Sequence, residues 1–295
     1  MSRRNLALFA ATLVSIIYGV TFTIAKDVMP AFIKPFGFIV LRVGISTLLF
    51  WIASLFVTKE KIALADFPRI VAAAFFGVAF NMLTFFEGLS LTSPIMASVL
   101  MVTTPIIVLV LSAIIMKEKI IGKKAVGIIM GLVGTIFLIA YGKSVGNAPS
   151  AAWGNFLVFI NAVSYGLYLI LVKKLMDKYN PFVFVKWIYL FGFIMVLPFG
   201  WEQLEAVSWE LMPAGIAAKA AFVVVISTFL TYLLNLLSMK ELKPTTIAVF
   251  IYLQPFFATV FAIGLGKDTL GPVKILSAAL IFAGVYLVTA KPKKS

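Results

Sequence analysis

The chain has no cysteine and no histidine, and charged residues make up only 12% of its 295 positions. Without cysteine there is neither a disulfide framework nor a thiolate metal site. Without histidine the commonest metal ligand and proton shuttle is missing, and a serine–histidine pair cannot be built. The four aspartates, Asp27, Asp66, Asp177 and Asp268, all fall at the ends of apolar runs, which argues against a paired-aspartate site inside a membrane. Gly142-Lys143-Ser144 has the ending of a phosphate-binding loop, but the glycine required five residues earlier is Phe137. These absences leave no catalytic residue, metal ligand or cofactor to assign, and they argue against an enzyme and against direct drive by ATP.

Apolar residues are what the chain has instead. They make up 62% of it, with a mean hydropathy of +1.10, far outside the range of soluble domains of this length and indicative of an integral membrane protein. In a soluble protein the formal charge of +14 would point to nucleic acid. Here it raises the question of which side of a bilayer holds the cations, and no nucleic-acid partner is expected. Arg3 and Arg4 precede an apolar run without a small-residue cleavage site, so that run reads as a first span rather than a removable signal.

At roughly 20 apolar residues per span, helices are expected near 6–26, 35–57, 67–90, 94–116, 122–141, 152–174, 181–200, 214–239, 244–266 and 271–290. The expected fold is therefore an all-α membrane protein of ten spans in one domain, residues 1–295, with no room for a soluble insert. Placing the N-terminus in the cytoplasm gives the inner loops 17 Lys and Arg against 5 outside, so both termini are predicted inside. The segment Trp201 to Glu210, with three Glu and two Trp, then falls outside at an aromatic interface.

The spans repeat. Thr92 to Ile139 has a second version at Lys243 to Val288, with Pro94 over Pro244, Pro105 over Pro255, Lys117-Glu118 over Lys267-Asp268 and Gly134 over Gly284 at an offset of 150. Earlier in each half the offset is 146 or 147: Tyr18-Gly19 over Tyr165-Gly166, Lys26 over Lys173, Pro35-Phe36 over Pro181-Phe182. Helices 3 and 8 match weakly. Residues 1–142 and 152–290 thus read as two five-helix units, and an odd number of spans per unit makes the second inverted with respect to the first, as in secondary transporters.

With its duplicated Tyr-Gly, the run GLSLTSPIMASVLMVTTP from helix 3 into helix 4, and KEK followed by two glycines into helix 5, the chain resembles the EamA family of the drug/metabolite transporter superfamily over its whole length. The resemblance implies a basket of ten helices around a central cavity that opens alternately to each side, moving amino acids, other small metabolites or drugs, most often outward across the plasma membrane. Met96 departs from the small polar residue expected there in close relatives.

Residues that could carry transport are those whose polarity conflicts with their depth. Arg42 lies about 10 Å inside helix 2. It is either an outward-reaching anchor or a cavity cation that binds a substrate carboxylate or closes a gate against Glu87. Glu87 itself reads as a wet carboxylate at a helix end or as a proton-coupling group. Lys186 and Lys219 read as anchors, with gating as the alternative for Lys186. Pro105 and Pro255, near mid-span in both halves, free a backbone carbonyl and provide a flex point beside a substrate. Tyr18, Thr21, Asn81, Ser98, Asn161, Tyr165, Asn235 and Gln254 are the polar groups assigned with Arg42 to the cavity. The other reading for any of them is a helix–helix hydrogen bond. Gly127-x3-Gly131 with Gly134 reads as packing within the chain, so a monomer is expected, a dimer seam being the alternative. A facilitative channel or a non-transporting scaffold fits the composition too. The partners expected are a small-molecule substrate and the lipid bilayer.

Overall fold

Long apolar runs leave helix as the way for a backbone to satisfy its own N–H and C=O groups away from water, and the computed structural model is built on that solution. It describes residues 2–57, 60–92, 97, 100–119, 121–140, 151–264 and 271–289, among which there is no strand. Helix α1 (Arg3–Val28) starts on Ser2, whose hydroxyl accepts from the Asn5 N–H. Proline occupies the first turn of α2 (Pro35–Ser54), where its missing N–H has no helical partner to lose. α3 (Phe67–Ala74) runs through a π-helical segment, Phe75–Ala79, into α4 (Phe80–Leu91). Then come α5 (Thr104–Ile115), α6 (Gly122–Ala140), α7 (Ala151–Met176) and α8 (Pro181–Glu205). α9 (Ala214–Ala221) passes through a second π-helical segment, Phe222–Leu230, into α10 (Thr231–Glu241). α11 (Pro244–Val249), a 3-10 turn, α12 (Leu253–Gly264) and α13 (Pro272–Thr289) complete the order.

Among the described residues, seven helical stretches are long and apolar enough to cross a membrane: Arg3–Val28, Pro35–Ser54, Leu64–Leu91, Ala152–Met176, Pro181–Glu205, Ala214–Glu241 and Pro244–Phe261. Thr104–Ile115 and Ile275–Thr289 are apolar but shorter. α8 runs five residues past the expected stop at 200, through Pro198, because its end has work to do there. The Gln203 side-chain oxygen accepts from the N–H groups of Phe36 and Gly37 at 3.0 and 3.2 Å, covering donors that the start of α2 leaves open.

Packing is reciprocal between the two halves. α1 lies against α10 and α12, while α7, aligned with α1, lies against α4 and α5; α2 packs on α8, and α6 on α13. Gly19 and Gly166, matched in sequence, let these contacts close. A Cβ on Gly19 would stand 2.7 Å from the Gln254 carbonyl oxygen, and one on Gly166 would meet Leu111 at 3.1 Å. The Gly127–Gly131 stripe packs inside the chain, since a Cβ on Gly284 would lie 2.6 Å from the Gly127 oxygen.

Arg4 donates to the Thr289 carbonyl, so the N-terminal end of α1 and the C-terminal end of α13 share one face of the bundle, here called the terminal face. Ser238 near the end of α10 joins them there, donating to the Ala7 carbonyl at 3.0 Å. The opposite face carries the C-terminal end of α1, where Lys219 of α9 pairs with Asp27. The aligned lysines take equivalent places on opposite faces. Lys26 donates to the Leu89 and Ser90 carbonyls at the end of α4, at 2.9 and 3.1 Å. Lys173 donates to the Met239 carbonyl at the end of α10, at 3.1 Å. Each cation sits where a helix collects uncapped carbonyls and negative dipole, and α1 and α7 run in opposite directions.

Candidate functional site

The irregular backbone comes in pairs. π-helical turns interrupt the matched rods at Phe75–Ala79 and Phe222–Leu230, and such turns widen a helix and free carbonyls. Ser164 of α7 donates to the Phe76 carbonyl at 2.7 Å, and the Thr228 hydroxyl donates five residues back to the Val223 carbonyl at 2.7 Å. The prolines mark the second pair. They are not kinks within continuous helices. Val102 and Thr103 form a turn and Pro105 sits in the first turn of α5, while Phe250–Tyr252 is a 3-10 turn and Pro255 is the third residue of α12. Neither prolyl nitrogen is asked to donate, because the preceding turn has ended the helix before it.

Between these breaks lies a cavity of about 120 Å³, against the roughly 10–15 Å³ that a single water needs. It runs from Tyr18, Tyr165 and Gln254 at mid-helix to Ala25 and Leu89, about 10 Å along α1 toward the opposite face. Toward the terminal face the rings of Phe50, Tyr189, Phe229 and Tyr232 form a plug, with Phe50–Tyr189, Phe50–Phe229 and Tyr189–Tyr232 centroids 4.7, 4.6 and 4.7 Å apart. Tyr168 links it to the cavity, its ring 5.9 Å from Tyr165 and 5.5 Å from Tyr232. Below the plug the halves are tied by charge. Glu118 accepts from Lys124 at 2.7 Å and from Thr245 at 3.3 Å, with Lys243 at 3.4 Å. Asp66 accepts from Tyr179 at 2.8 Å and pairs with Lys178 at 3.1 Å.

Of the residues singled out in the sequence, Tyr18, Thr21, Arg42, Asn81, Asn161, Tyr165 and Gln254 are brought together as cavity lining. Ser98 and Met96 lie outside the described residues, as do Pro94, Lys267 and Asp268. Asn235 is buried in α10 but lies eight residues past the lining Ser227, about 12 Å nearer the terminal face. Glu87 is half-buried in α4, outside the lining, and makes no pair with Arg42. Lys186 rests 4.8 Å over the Trp51 ring and donates to Ser54 at 3.4 Å, away from the cavity.

Arg42 is 4% exposed. Its Nε donates to the Thr228 hydroxyl at 2.9 Å, and its guanidinium lies 4.2 Å over the Phe86 ring. Its Nη1 is buried without a partner. Thr21 shares a hydrogen bond with Ser227 at 2.8 Å. Asn81 and Asn161 each donate to the other's carbonyl, at 3.4 and 2.7 Å. Sequence reasoning missed Ser227, Thr228 and the apolar wall of Phe22, Met82, Phe85, Phe86, Met101 and Ile251. The Phe and Met are indistinguishable from lipid-facing residues by composition, and the π turn displaces Ser227 and Thr228 from a 3.6-residue pattern.

Comparison with known proteins yields one consistent likeness. Residues 5–140 and 152–290 each match the EamA-like transporter family. An uncharacterized transporter of Archaeoglobus fulgidus is 28% identical over 93% of this chain and 95% of its own length. The uncharacterized transporter YyaM of Bacillus subtilis is 24% identical, with 92% and 89% covered. A protein of known crystal structure with 19% identity superposes at a TM-score of 0.76 over 97% of this chain and 96% of that one, a likeness of fold.

Proposed function

Because the chain belongs to the EamA-like transporter family, we propose that it works as a secondary transporter, moving a small metabolite by alternating access between two inverted five-helix repeats, 1–142 and 152–290. It is a multi-pass membrane protein and a transporter rather than an enzyme; the mechanism, direction and substrate class are our reading. The observation that carries it is the placement of the cavity. A pocket with a few polar groups in an apolar wall, lined from both halves, lies at mid-helix between paired breaks, reaching toward one face and plugged at the other. Broken helices around a midplane pocket are the form that rocking-bundle carriers take.

In this reading the two shorter apolar helices and α6 (Gly122–Ala140) bring the seven long stretches to ten spans, and the terminal face is cytoplasmic. The pocket then reaches toward the outside, and the monomer suffices for transport. Export from the plasma membrane is the direction we assign, with gradient or exchange as the drive. The other cavity-facing roles proposed from sequence remain proposals, those of Ser98 and Asn235 included.

Reconstitution in liposomes tests the mechanism. Saturable counterflow of a labelled ligand against the same ligand trapped inside is expected of a carrier. Flux that rises linearly with concentration and shows no counterflow would make it a channel, and binding without flux would make it a scaffold. Reporters fused to each end of the chain test the topology, both being expected to read as cytoplasmic.

A further inference from the structure

Taking the cavity as the transport site, we propose that its occupant is a small organic anion: a carboxylate on an apolar body that carries no amino group. The charge inside the cavity is one-sided. Arg42 is its only charged residue among those described, the rest being neutral or apolar. The stretches 93–96 and 98–99, beside Ala97 and ahead of the lining Met101, hold no acidic residue in the sequence either. Glu87 follows Phe86 in α4 but is not among the residues that line the cavity.

The guanidinium is held so that part of it is left for a ligand. Thr228 spends its one hydroxyl proton on the Val223 carbonyl, a bond five residues back that the π turn creates. Its lone pair is therefore directed to Arg42 Nε, at 2.9 Å. Phe86 covers the guanidinium, with its centroid 4.2 Å away. Nη1 stays buried and without a partner. A buried N–H on a cation that finds no acceptor is costly, and a carboxylate oxygen supplies that acceptor and the missing charge together.

An ammonium group has no such place. It would enter a low-dielectric pocket that already holds a cation. Asn81 and Asn161 spend Nδ2 protons on each other's backbone carbonyls; their Oδ1 acceptors, like the hydroxyls of Tyr18, Thr21 and Tyr165 and the amide of Gln254, are neutral, so among the described lining residues no negative charge offsets that repulsion. Phe22, Phe85, Met82 and Ile251 supply the apolar wall for the body of the molecule.

Four probes with the same phenylethyl body decide the matter: hydrocinnamate, hydrocinnamamide, phenethylamine and the zwitterion phenylalanine. Thermal unfolding of the purified, detergent-solubilised full chain is followed with each, since a ligand bound only by the folded protein raises the midpoint. Hydrocinnamate is expected to bind at least about tenfold tighter than any of the other three, the value of a charged hydrogen bond at its lower end. Arg42→Met should remove that preference. Thr228→Val, which frees the guanidinium from its positioning partner, should weaken hydrocinnamate several-fold and leave the amide unchanged. Should Arg42→Met not fold, the ranking on the unaltered protein decides alone. Equal binding of carboxylate and amide, a preference for phenethylamine or phenylalanine, or no response to hydrocinnamate at millimolar concentration would each overturn the proposal. Counterflow separates this from the transport reading. If hydrocinnamate ranks first yet does not exchange, the carrier reading fails and the anion site stands. If phenethylamine or phenylalanine exchanges in preference to hydrocinnamate, the carrier stands and the anion site fails.

Discussion

Replacing Glu118 by glutamine should open the terminal face. Glu118 and Lys124 belong to the first half, and Thr245 and Lys243 to the start of α11 in the second. Their contacts bridge the halves below the aromatic plug and must be lost when that face opens. The Glu118–Lys124 pair lies within the first half and survives opening; the Glu118 contacts that cross are Thr245 at 3.3 Å and Lys243 at 3.4 Å, the latter side chain 64% exposed and so screened by solvent. Glu118→Gln keeps the shape and removes the charge, weakening the crossing contacts by about 0.5–1.5 kcal/mol. Because that energy is present in one conformation only, the loss moves the equilibrium toward the terminal-open form by about 2- to 12-fold. Thr245→Val removes one of the two crossing partners and should act in the same direction more weakly. The chain has no cysteine of its own, so a single Asn235→Cys reports without background. Asn235 is 5% exposed, on the terminal side of Ser227. Its rate of labelling by a hydrophilic maleimide, measured in nanodiscs where both faces are reachable, follows the open population. A rise of at least about twofold in Glu118→Gln is expected. An unchanged labelling rate in a variant that remains folded would refute the assignment of this cluster as a latch between states.

Four other substitutions probe the frame. Lys26→Met leaves the carbonyls at the end of α4 without their cation and should lower thermal stability by about 1–2 kcal/mol, the upper range for a partly buried charge at a helix C-terminus; unchanged unfolding would mean that water replaces the lysine. Gly284→Val drives a side chain into the Gly127 carbonyl and the Gly131 nitrogen, both 2.6 Å from the position of its Cβ. It should cost about 1–3 kcal/mol through forced separation of α6 and α13, visible as a lower unfolding midpoint. Pro105→Ala and Pro255→Ala let the preceding turns anneal into continuous helix, and each should slow counterflow several-fold while ligand stabilisation is kept; equal turnover would remove the breaks from the transport cycle.

The sequence was informative wherever a residue type conflicts with its depth. Tyr18, Arg42, Asn81, Asn161 and Gln254 stand out against apolar surroundings, and the cavity gathers them. The offset of about 150 between Pro105 and Pro255 located the paired breaks, though a proline alone does not distinguish a kink from a helix that has already ended, and the structure has the second. Asn235 shares a rod with Ser227 but lies about 12 Å nearer the terminal face, a depth that the apolar pattern does not mark. Ser227 and Thr228 were invisible for a different reason: the π turns at Phe75–Ala79 and Phe222–Leu230 displace the residues within and beyond them from a 3.6-residue pattern. These rods were the part of the repeat that aligned least well, yet both carry the irregularity at corresponding places. Backbone geometry kept the symmetry where side chains had lost it.

That division of labour between backbone and side chain has a physical reason. Two conformations related by exchanging the roles of the halves stay close in energy only if the features that hold the frame occur twice. Lys26 at the end of α4 and Lys173 at the end of α10 are such features, as are the two π segments and the two proline-led helices. The site is under no such demand. On the alternating-access reading a ligand near the axis would be touched by both halves in either conformation, so one cation would be enough, and a second at the matched position would repel the first. Arg42 aligns with Ile188, an apolar residue that is fully buried. Ile188→Arg thus separates the two roles. It should place a second cation in the core opposite the first, cost several kcal/mol for an uncompensated buried charge, and depress folding far more than Ile188→Met, which keeps the buried position apolar. A folded Ile188→Arg protein with the anion affinity of the unaltered chain would mean that the halves tolerate charge symmetrically, and that a single arginine is not what the site requires.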